Sequence, residues 1–445
     1  MSANIPLTFE NGKSVSQTTL FTNQRLVGYS QVNKNSGLTV YLLFVISWFL
    51  HLGTRLPFLG LIRFDLILVC ILSYLALSSK RVSGTRRTAT DNLLRILIVY
   101  SVLTIPFVEW PGSVIGTGIP NFIKGIVFYY FTIAFVRTEK DLKKLVLVFV
   151  ACQLWRILEP LCLHVTEGYW GSGASMANWE HLDRLSGAPS DVVNPNGLAF
   201  IICTVLPFLY LMAGLSWKGR LAFTVFTPIC IYTLALTGSR SGMLGLAIIF
   251  LGIVWKSERR FIWALSGVLL VVVGFPLLSP DMQDRYLSII GKGEKNSATA
   301  EGRLTGVKEN FVVALRRPIF GHGLGTSREA NANFGEDDMP AHNLYAETAD
   351  ELGFVGLAIF ILFLKSIFAG FTQCKRVYDD QDASAFLRRL VDALQVFLIM
   401  NFLFSFASYG LSSYEWYLLG GFSVAMRRMA VEAPAKAAAS QGLKE

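Results

Sequence analysis

The chain has 445 residues, 53% of them hydrophobic and 16% charged, with mean hydropathy +0.48 and a net charge of +9. A soluble globular chain carries roughly 25% charged residues; here the apolar residues fall in long blocks divided by short basic segments. That pattern excludes a soluble multidomain protein and points to an all-α, polytopic membrane protein, because a transmembrane helix needs about 20 mostly apolar residues.

In chain order, residues 1–37 are polar and read as a cytoplasmic tail without the apolar core of a signal peptide. The first apolar run, "LTVYLLFVISWFL" (38–50), has no small-residue cleavage signal behind it and reads as an uncleaved span. About twelve spans are expected: 38–53, 64–79, 93–109, 119–136, 145–163, 197–215, 221–236, 241–255, 261–279, 350–371, 391–408 and 413–427. Residues 38–279 thus hold spans one to nine, and 280–349 form a large outside loop between spans nine and ten. Residues 350–427 hold the last three spans, and the Ala-rich 428–445 read as a disordered cytoplasmic tail.

Charge supplies an independent check on orientation. With the N-terminus inside, the inside segments are "KRVSGTRR" (80–87), "RTEKDLKK" (137–144), "SWKGR" (216–220), "KSERR" (256–260), 372–390 and the tail from Arg427, and all are basic. The short outside loops carry fewer Lys and Arg, with Arg55 and Arg63 in 54–63, Arg240 in 237–240 and none in 110–118 or 409–412, the asymmetry that the positive-inside rule expects. The net positive charge therefore follows from topology and implies no nucleic-acid partner. The six cysteines lie in or beside apolar blocks without a CxxC and read as small buried hydrophobes.

Two outside segments are long, 164–196 and 280–349. Loops of that length in a compact protein are uncommon unless functional. In the second, "EGRLTGVKENFVVALRRP" (301–318) places Leu304, Val307, Phe311 and Leu315 at helical spacing, which predicts an amphipathic helix ending at Pro318 and the glycine-rich "FGHGLGT".

Arg240 sits in "LTGSRSGML" (236–244), with the hydroxyls of Ser239 and Ser241 and backbone amides near two glycines. A helix N-terminus combined with a guanidinium fork suits a phosphate; the alternative is a snorkelling arginine in a tight turn. Arg303 and Arg184 are further outside cations, each by itself an ordinary surface arginine. Arg95 and Arg156 interrupt spans and either line a cavity or snorkel near helix ends.

In "PAHNLYAETADELGFVG" (340–356), Asn343, Glu347 and Glu351 share one helical face beside a stripe of small residues, Ala346, Ala349, Gly353 and Gly356. His342 stands at the helix mouth, where an imidazole could accept a proton near neutral pH; a cap or surface residue is the other reading. No P-loop or H-E-x-x-H occurs, and the first outside loop, "HLGTRLPFLGLIR", has no carboxylate. No metal or cofactor is expected, and "GEDDMP" (335–340) reads as a solvated loop, with a cation held by Glu336, Asp337 or Asp338 as the alternative.

"TGSRSG", then "GRLTGVKENFVVALRRPIFGHGLGT", then "PAHNLYAETADELGFVGL" resembles, in order and spacing, the bacterial O-antigen ligase and O-antigen (exopolysaccharide) polymerase superfamily, over roughly residues 194–371. The resemblance implies a twelve-span inner-membrane protein with a periplasmic site. It implies that Arg240 and Arg303 hold the pyrophosphate of an undecaprenyl-diphosphate-linked glycan and that His342 serves the acceptor hydroxyl, on a glycan or lipid A core. Ser239, Ser241, Asn343, Glu347, His322 and Arg184 join them as candidate substrate contacts. His322 departs from the family, which usually has an aliphatic residue there. A transporter of a small anion or lipid-linked sugar is the rival reading; it expects internal repeats, and none is evident between the two halves.

Overall fold

In a computed structural model, residues 32–78, 87–171, 184–278, 280–287, 297–335, 343–408 and 410–441 are described; the side chains of 32–36, 281, 297–305 and 432–441 are not. Every regular element among them is helical. The main helices are α1 (Val32–Leu50), α2 (Phe64–Ser78), α3 (Ala89–Leu103), α4 (Ile119–Phe135), α5 (Glu139–Glu167), α6 (Pro195–Ala213), α7 (Trp217–Thr237) and α8 (Arg240–Lys256). They continue with α9 (Arg260–Gly274), α10 (Pro280–Leu287), α11 (Ser297–Arg316), α12 (Ser327–Phe334), α13 (Leu344–Asp380), α14 (Ala385–Phe404) and α15 (Tyr414–Gln441).

Among the described residues, seven helical segments are long and apolar enough to cross a membrane: Pro111–Phe135, Glu139–Glu167, Pro195–Ala213, Trp217–Thr237, Arg260–Leu277, Leu344–Asp380 and Ala385–Ala407. Gly37–Leu50 and Phe64–Ser78 are shorter apolar helices. The three remaining expected spans coincide with α3, α8 and α15, which are helical but shorter or more polar.

Side-chain caps set many of the boundaries. Thr88 with Asp91, and Thr138 with Asp141, form capping boxes at the starts of α3 and α5. Asn194 caps α6 ahead of Pro195 at the first helical position, and Ser216 and Ser384 cap α7 and α14. Gly168, at φ 70°, ends α5.

The core is aromatic. Phe44, Phe49, Phe128, Phe131 and Phe149 are buried, and the Phe49 ring meets Tyr414 with centroids 4.9 Å apart. α15 packs along α4 and α13, while α6 packs on α7, α8 and α14. Because Lys256 at the end of α8 meets Asp392 and Gln395 midway along α14, whereas Gly245 near the start of α8 faces Phe404 at the end of α14, these two helices run antiparallel.

Some expectations change. The tail after Arg428 continues as helix to Gln441, consistent with the high helix propensity of its alanines. Cys70 and Cys162 are exposed, whereas the other four cysteines are buried. The predicted loop helix is α11, but its inward face is carried by Asn310, Val313 and Ala314, and Leu315 is 62% exposed. The face is set by α13, against which the Phe311 ring stacks on Phe354 at 6.5 Å. Gly353 is no part of a small-residue packing stripe: at φ 70° and ψ 176° it breaks α13 into two helical stretches.

Candidate functional site

The segment "LTGSRSG" folds as a junction of two helices. Gly238, at φ 55°, ends α7 in the left-handed conformation that glycine adopts without Cβ strain. Ser239 then caps α8, its hydroxyl accepting from the Gly242 amide at 3.1 Å. Arg240 is the first residue of α8 and half-buried.

Two further arginines converge on this junction. Arg184, 5% exposed, donates from Nε to the Thr237 carbonyl at 2.8 Å and from a guanidinium nitrogen to Asn196 Oδ1 at 2.9 Å. Arg285, 6% exposed, donates from Nε to the Gly238 carbonyl at 2.6 Å. Cations at the C-terminal carbonyls of a helix are favourable because those groups carry the negative end of its dipole. Asn196 Oδ1 also accepts from the Ser239 hydroxyl at 2.8 Å, and the Ser239 and Ser241 hydroxyl oxygens lie 3.2 Å apart. Thus Arg184, Ser239 and Ser241 are joined through Asn196 beside Arg240. Arg285, absent from the sequence-based set, comes from α10, which carries no motif that would mark it.

The second cluster surrounds the break in α13. Asn343 caps this helix, accepting from the amides of Tyr345 at 2.9 Å and Ala346 at 3.1 Å, so it precedes the helical face on which Glu347 and Glu351 lie. Glu347 is turned toward the chain before α15, accepting from the Gly410 amide at 2.6 Å and the Leu411 amide at 3.2 Å. Glu351 accepts from the backbone of Gly325 and Ser327.

Carbonyls left open by the break are taken up by the glycine-rich loop. His322 N donates to Asp350 O at 2.8 Å and Gly323 N to Glu351 O at 3.0 Å, while the Tyr100 hydroxyl of α3 donates to Ile319 O and lies 3.2 Å from Leu352 O. Past the break, Phe354 N donates to Pro318 O at 2.8 Å. The contact needs glycine on both sides, since a Cβ on Gly353 would run into Ile319 O and one on Gly321 into the Glu351 backbone.

His322 is therefore buried in this loop, with Nε2 3.2 Å from Val313 O and 3.7 Å from an Asp350 carboxyl oxygen. A carbonyl only accepts, so Nε2 carries the hydrogen and a neutral ring leaves Nδ1 bare. Burial pushes the imidazole below its ordinary pKa, opposed by the hydrogen bond to Val313. Neither His322 Nδ1 nor either carboxyl oxygen of Asp350 has a hydrogen-bond partner among the described residues.

A third network joins α1, α5 and the loop before α6. Arg156 neither snorkels nor stands alone: Nε lies 2.5 Å and a terminal nitrogen 3.0 Å from the two oxygens of Asp191. His51 Nε2 is 3.1 Å from the same carboxylate, and Gln153 links Arg156 to the Tyr414 hydroxyl. Burial acts against the Asp191 carboxylate, but the His51 and Arg156 hydrogen bonds outweigh it and hold it down at about 2. Asp191 and His51 carry no sequence signal of this pairing.

The helix directions place all three clusters at one end of the bundle. α6 and α8 begin there, α7 ends there, Phe404 at the close of α14 meets Phe200 with centroids 4.9 Å apart, and Asn343 Nδ2 donates to Phe406 O at 3.0 Å. His342 and the acidic residues 336–338 lie outside the described residues, and Arg303 is on α11 with its side chain undescribed. Among the described residues, no group of three or more His, Cys, Asp or Glu is placed to hold a metal ion.

A comparison with curated proteins finds no match. A family model described as O-antigen ligase matches residues 225–361, a segment that contains Ser239, Arg240, Ser241, Arg303, His322, His342, Asn343 and Glu347 and leaves out Arg184. Seven apolar helices and this match together indicate a multi-pass membrane protein of bacterial inner-membrane type. The match supports, for this chain, the O-antigen ligase/polymerase superfamily of glycan transferases.

Proposed function

We propose that the protein transfers a glycan from an undecaprenyl-diphosphate carrier to a sugar hydroxyl at the periplasmic face of the membrane, without a metal. In the ligase form the acceptor is lipid A core; in the polymerase form it is the end of another repeat unit. The bond between the anomeric carbon and the carrier's phosphate oxygen breaks as the acceptor oxygen attacks from the opposite face, inverting the centre. The lipid pyrophosphate departs with the bonding electrons, and the acceptor's proton passes to His342. Arg240 and Arg303 neutralise the developing phosphate charge, the kind of preorganised stabilisation that dominates many enzyme sites.

The observation that carries this reading is the gathering of Arg184, Arg240 and Arg285 at one helix junction. Arg184 and Arg285 are engaged with backbone carbonyls, so they brace the junction and add to its positive field, while Arg240 opens the helix at its cation-rich mouth. That the three networks around Gly238, Gly353 and Asp191 share one end of the bundle favours an enzyme working at that boundary over a transporter with a site at mid-membrane.

The test is transfer by the purified full chain, given an undecaprenyl-diphosphate glycan and candidate acceptors, with products resolved by size. A ladder of products identifies a polymerase, and one added block on lipid A core identifies a ligase. Absence of product with every acceptor overturns the proposal and favours the transporter. Activity should survive EDTA; inhibition reversed by added metal would move the chemistry to a cation at residues 336–338.

A further inference from the structure

The opposite end of the bundle holds an open cavity of about 960 Å³ lined by parts of α6, α7, α8, α9, α13 and α14. It is independent of the glycan-transfer reading, since its walls lie where α6, α8 and α13 end and α7, α9 and α14 begin. Six basic residues line it, Arg220, Lys256, Arg259, Lys375, Arg388 and Arg389, against the acidic Glu258, Asp379 and Asp392.

Half of the cations are already engaged. Lys256 Nζ lies 2.7 Å and Lys375 Nζ 3.1 Å from the two oxygens of Asp392, and Arg388 pairs with Asp382 at 3.1 Å. Arg220, Arg259 and Arg389 are exposed and enter no ion pair among the described residues. Three guanidinium groups around one concavity, none held in an ion pair and outnumbering the one carboxylate of the lining left unpaired among the described residues, Glu258, suit a phosphate.

The rest of the wall has different chemistry. Tyr210, Phe223 and Trp263 form a triangle of edge-to-face rings with centroids 5.7, 6.0 and 6.2 Å apart. Pro207, Ile253 and Val396 line the cavity too. Trp263 belongs to α9, an apolar helix with no buried residue, so the cavity adjoins a surface made for lipid. Inorganic phosphate would use the arginines alone, whereas a phospholipid would use the arginines and the aromatic wall together. Basic pockets between membrane helices are a known setting for anionic headgroups.

We propose that this cavity binds the phosphate headgroup of an anionic phospholipid, with the first part of an acyl chain against Tyr210, Phe223 and Trp263. Native mass spectrometry of the full chain, released from detergent and titrated with phosphatidylglycerol, phosphatidylcholine or inorganic phosphate, reads the occupancy. Phosphatidylglycerol should be retained in preference to phosphatidylcholine. Replacing Arg220, Arg259 and Arg389 with Gln should weaken it about fivefold each and roughly a hundredfold together, as expected for basic residues near an anionic surface.

Gly214→Ala provides a charge-neutral arm. A new Cβ would meet the Arg389 guanidinium, the movable end of a flexible side chain, and displace it while the backbone stays helical. It should cost about as much as removing Arg389, roughly fivefold. Phe223→Ala should weaken phosphatidylglycerol and leave any phosphate binding unchanged. Equal retention of the two lipids, or wild-type affinity in the triple Gln variant with an unchanged melting midpoint, overturns the proposal. Displacement of the lipid by millimolar phosphate with no effect of Phe223→Ala also overturns it, in favour of a free-phosphate site.

Discussion

The α7–α8 junction at Gly238 and the break in α13 at Gly353 solve the same backbone problem with opposite charge. Each interrupts a helix at the same end of the bundle, and each places a glycine at positive φ, 55° and 70°. At the first, the exposed carbonyls are met by arginine side chains, Arg184 on Thr237 and Arg285 on Gly238. At the second, they are met by the amides of His322 and Gly323, with three carboxyl side chains buried alongside. Capping by side chains brings positive charge to a helix end, while capping by a folded-back loop brings none and leaves Asp350 and His322 facing each other. On the proposed function, a phosphate would sit at the first junction and a hydroxyl with its proton at the second.

The largest expected effect tests that division directly. His342→Ala should lower turnover by about 10²- to 10⁴-fold, the usual worth of acid–base help, and leave binding of the lipid-linked donor intact. Arg240→Ala should lose turnover and donor binding together, and Arg240→Lys should rescue little, because an ammonium cannot form the two-pronged contact of a guanidinium. Donor binding measured on both variants decides the matter; its loss in His342→Ala would merge the two junctions into one phosphate site.

Asp191 comes next, because its loop delivers Arg184 to the first junction. Asp191→Asn leaves Arg156 buried without its counter-charge and should destabilise the fold by about 3–5 kcal/mol. The wild type should also lose roughly 2 kcal/mol of stability in acid. With the carboxyl lowered from 3.8 to about 2 on folding, that stabilisation is complete above 3.8 and disappears as pH falls from there toward 2. The gap between the melting curves of the two proteins should narrow by that amount toward the acid end of this range; a constant gap would remove the linkage.

The two glycines themselves separate the junctions further. Gly353→Ala should cost about 3 kcal/mol, since φ 70° with ψ 176° is nearly exclusive to glycine and the new Cβ meets a backbone oxygen. Gly238→Asn should cost less than about 1 kcal/mol, because asparagine accepts the left-handed conformation and the nearest atom, Met282 Sδ at 3.1 Å from a Cβ, lies on a flexible side chain. Equal loss of melting temperature in the two variants would show that the loop at 318–325 is not what holds the break.

The sequence by itself determined the all-helical membrane character, because long apolar blocks leave the backbone no partner but itself. It determined many helix starts as well, since Thr88, Thr138, Asn194, Ser216 and Ser239 act on amides two or three residues away, within reach of local spacing. The Ser239–Arg240–Ser241 turn was legible for the same reason. Only the tertiary structure decided that Arg285 and Asn196 join that turn, that Arg156 finds Asp191, and that Gly353 breaks a helix instead of lining one. Each depends on a group far away in sequence: Arg156 and Asp191 are separated by 35 positions, and Gly353 is bent by a loop that begins at Pro318. Pairing at such distances is chosen by which helix ends the packing brings together, and no local pattern encodes that choice.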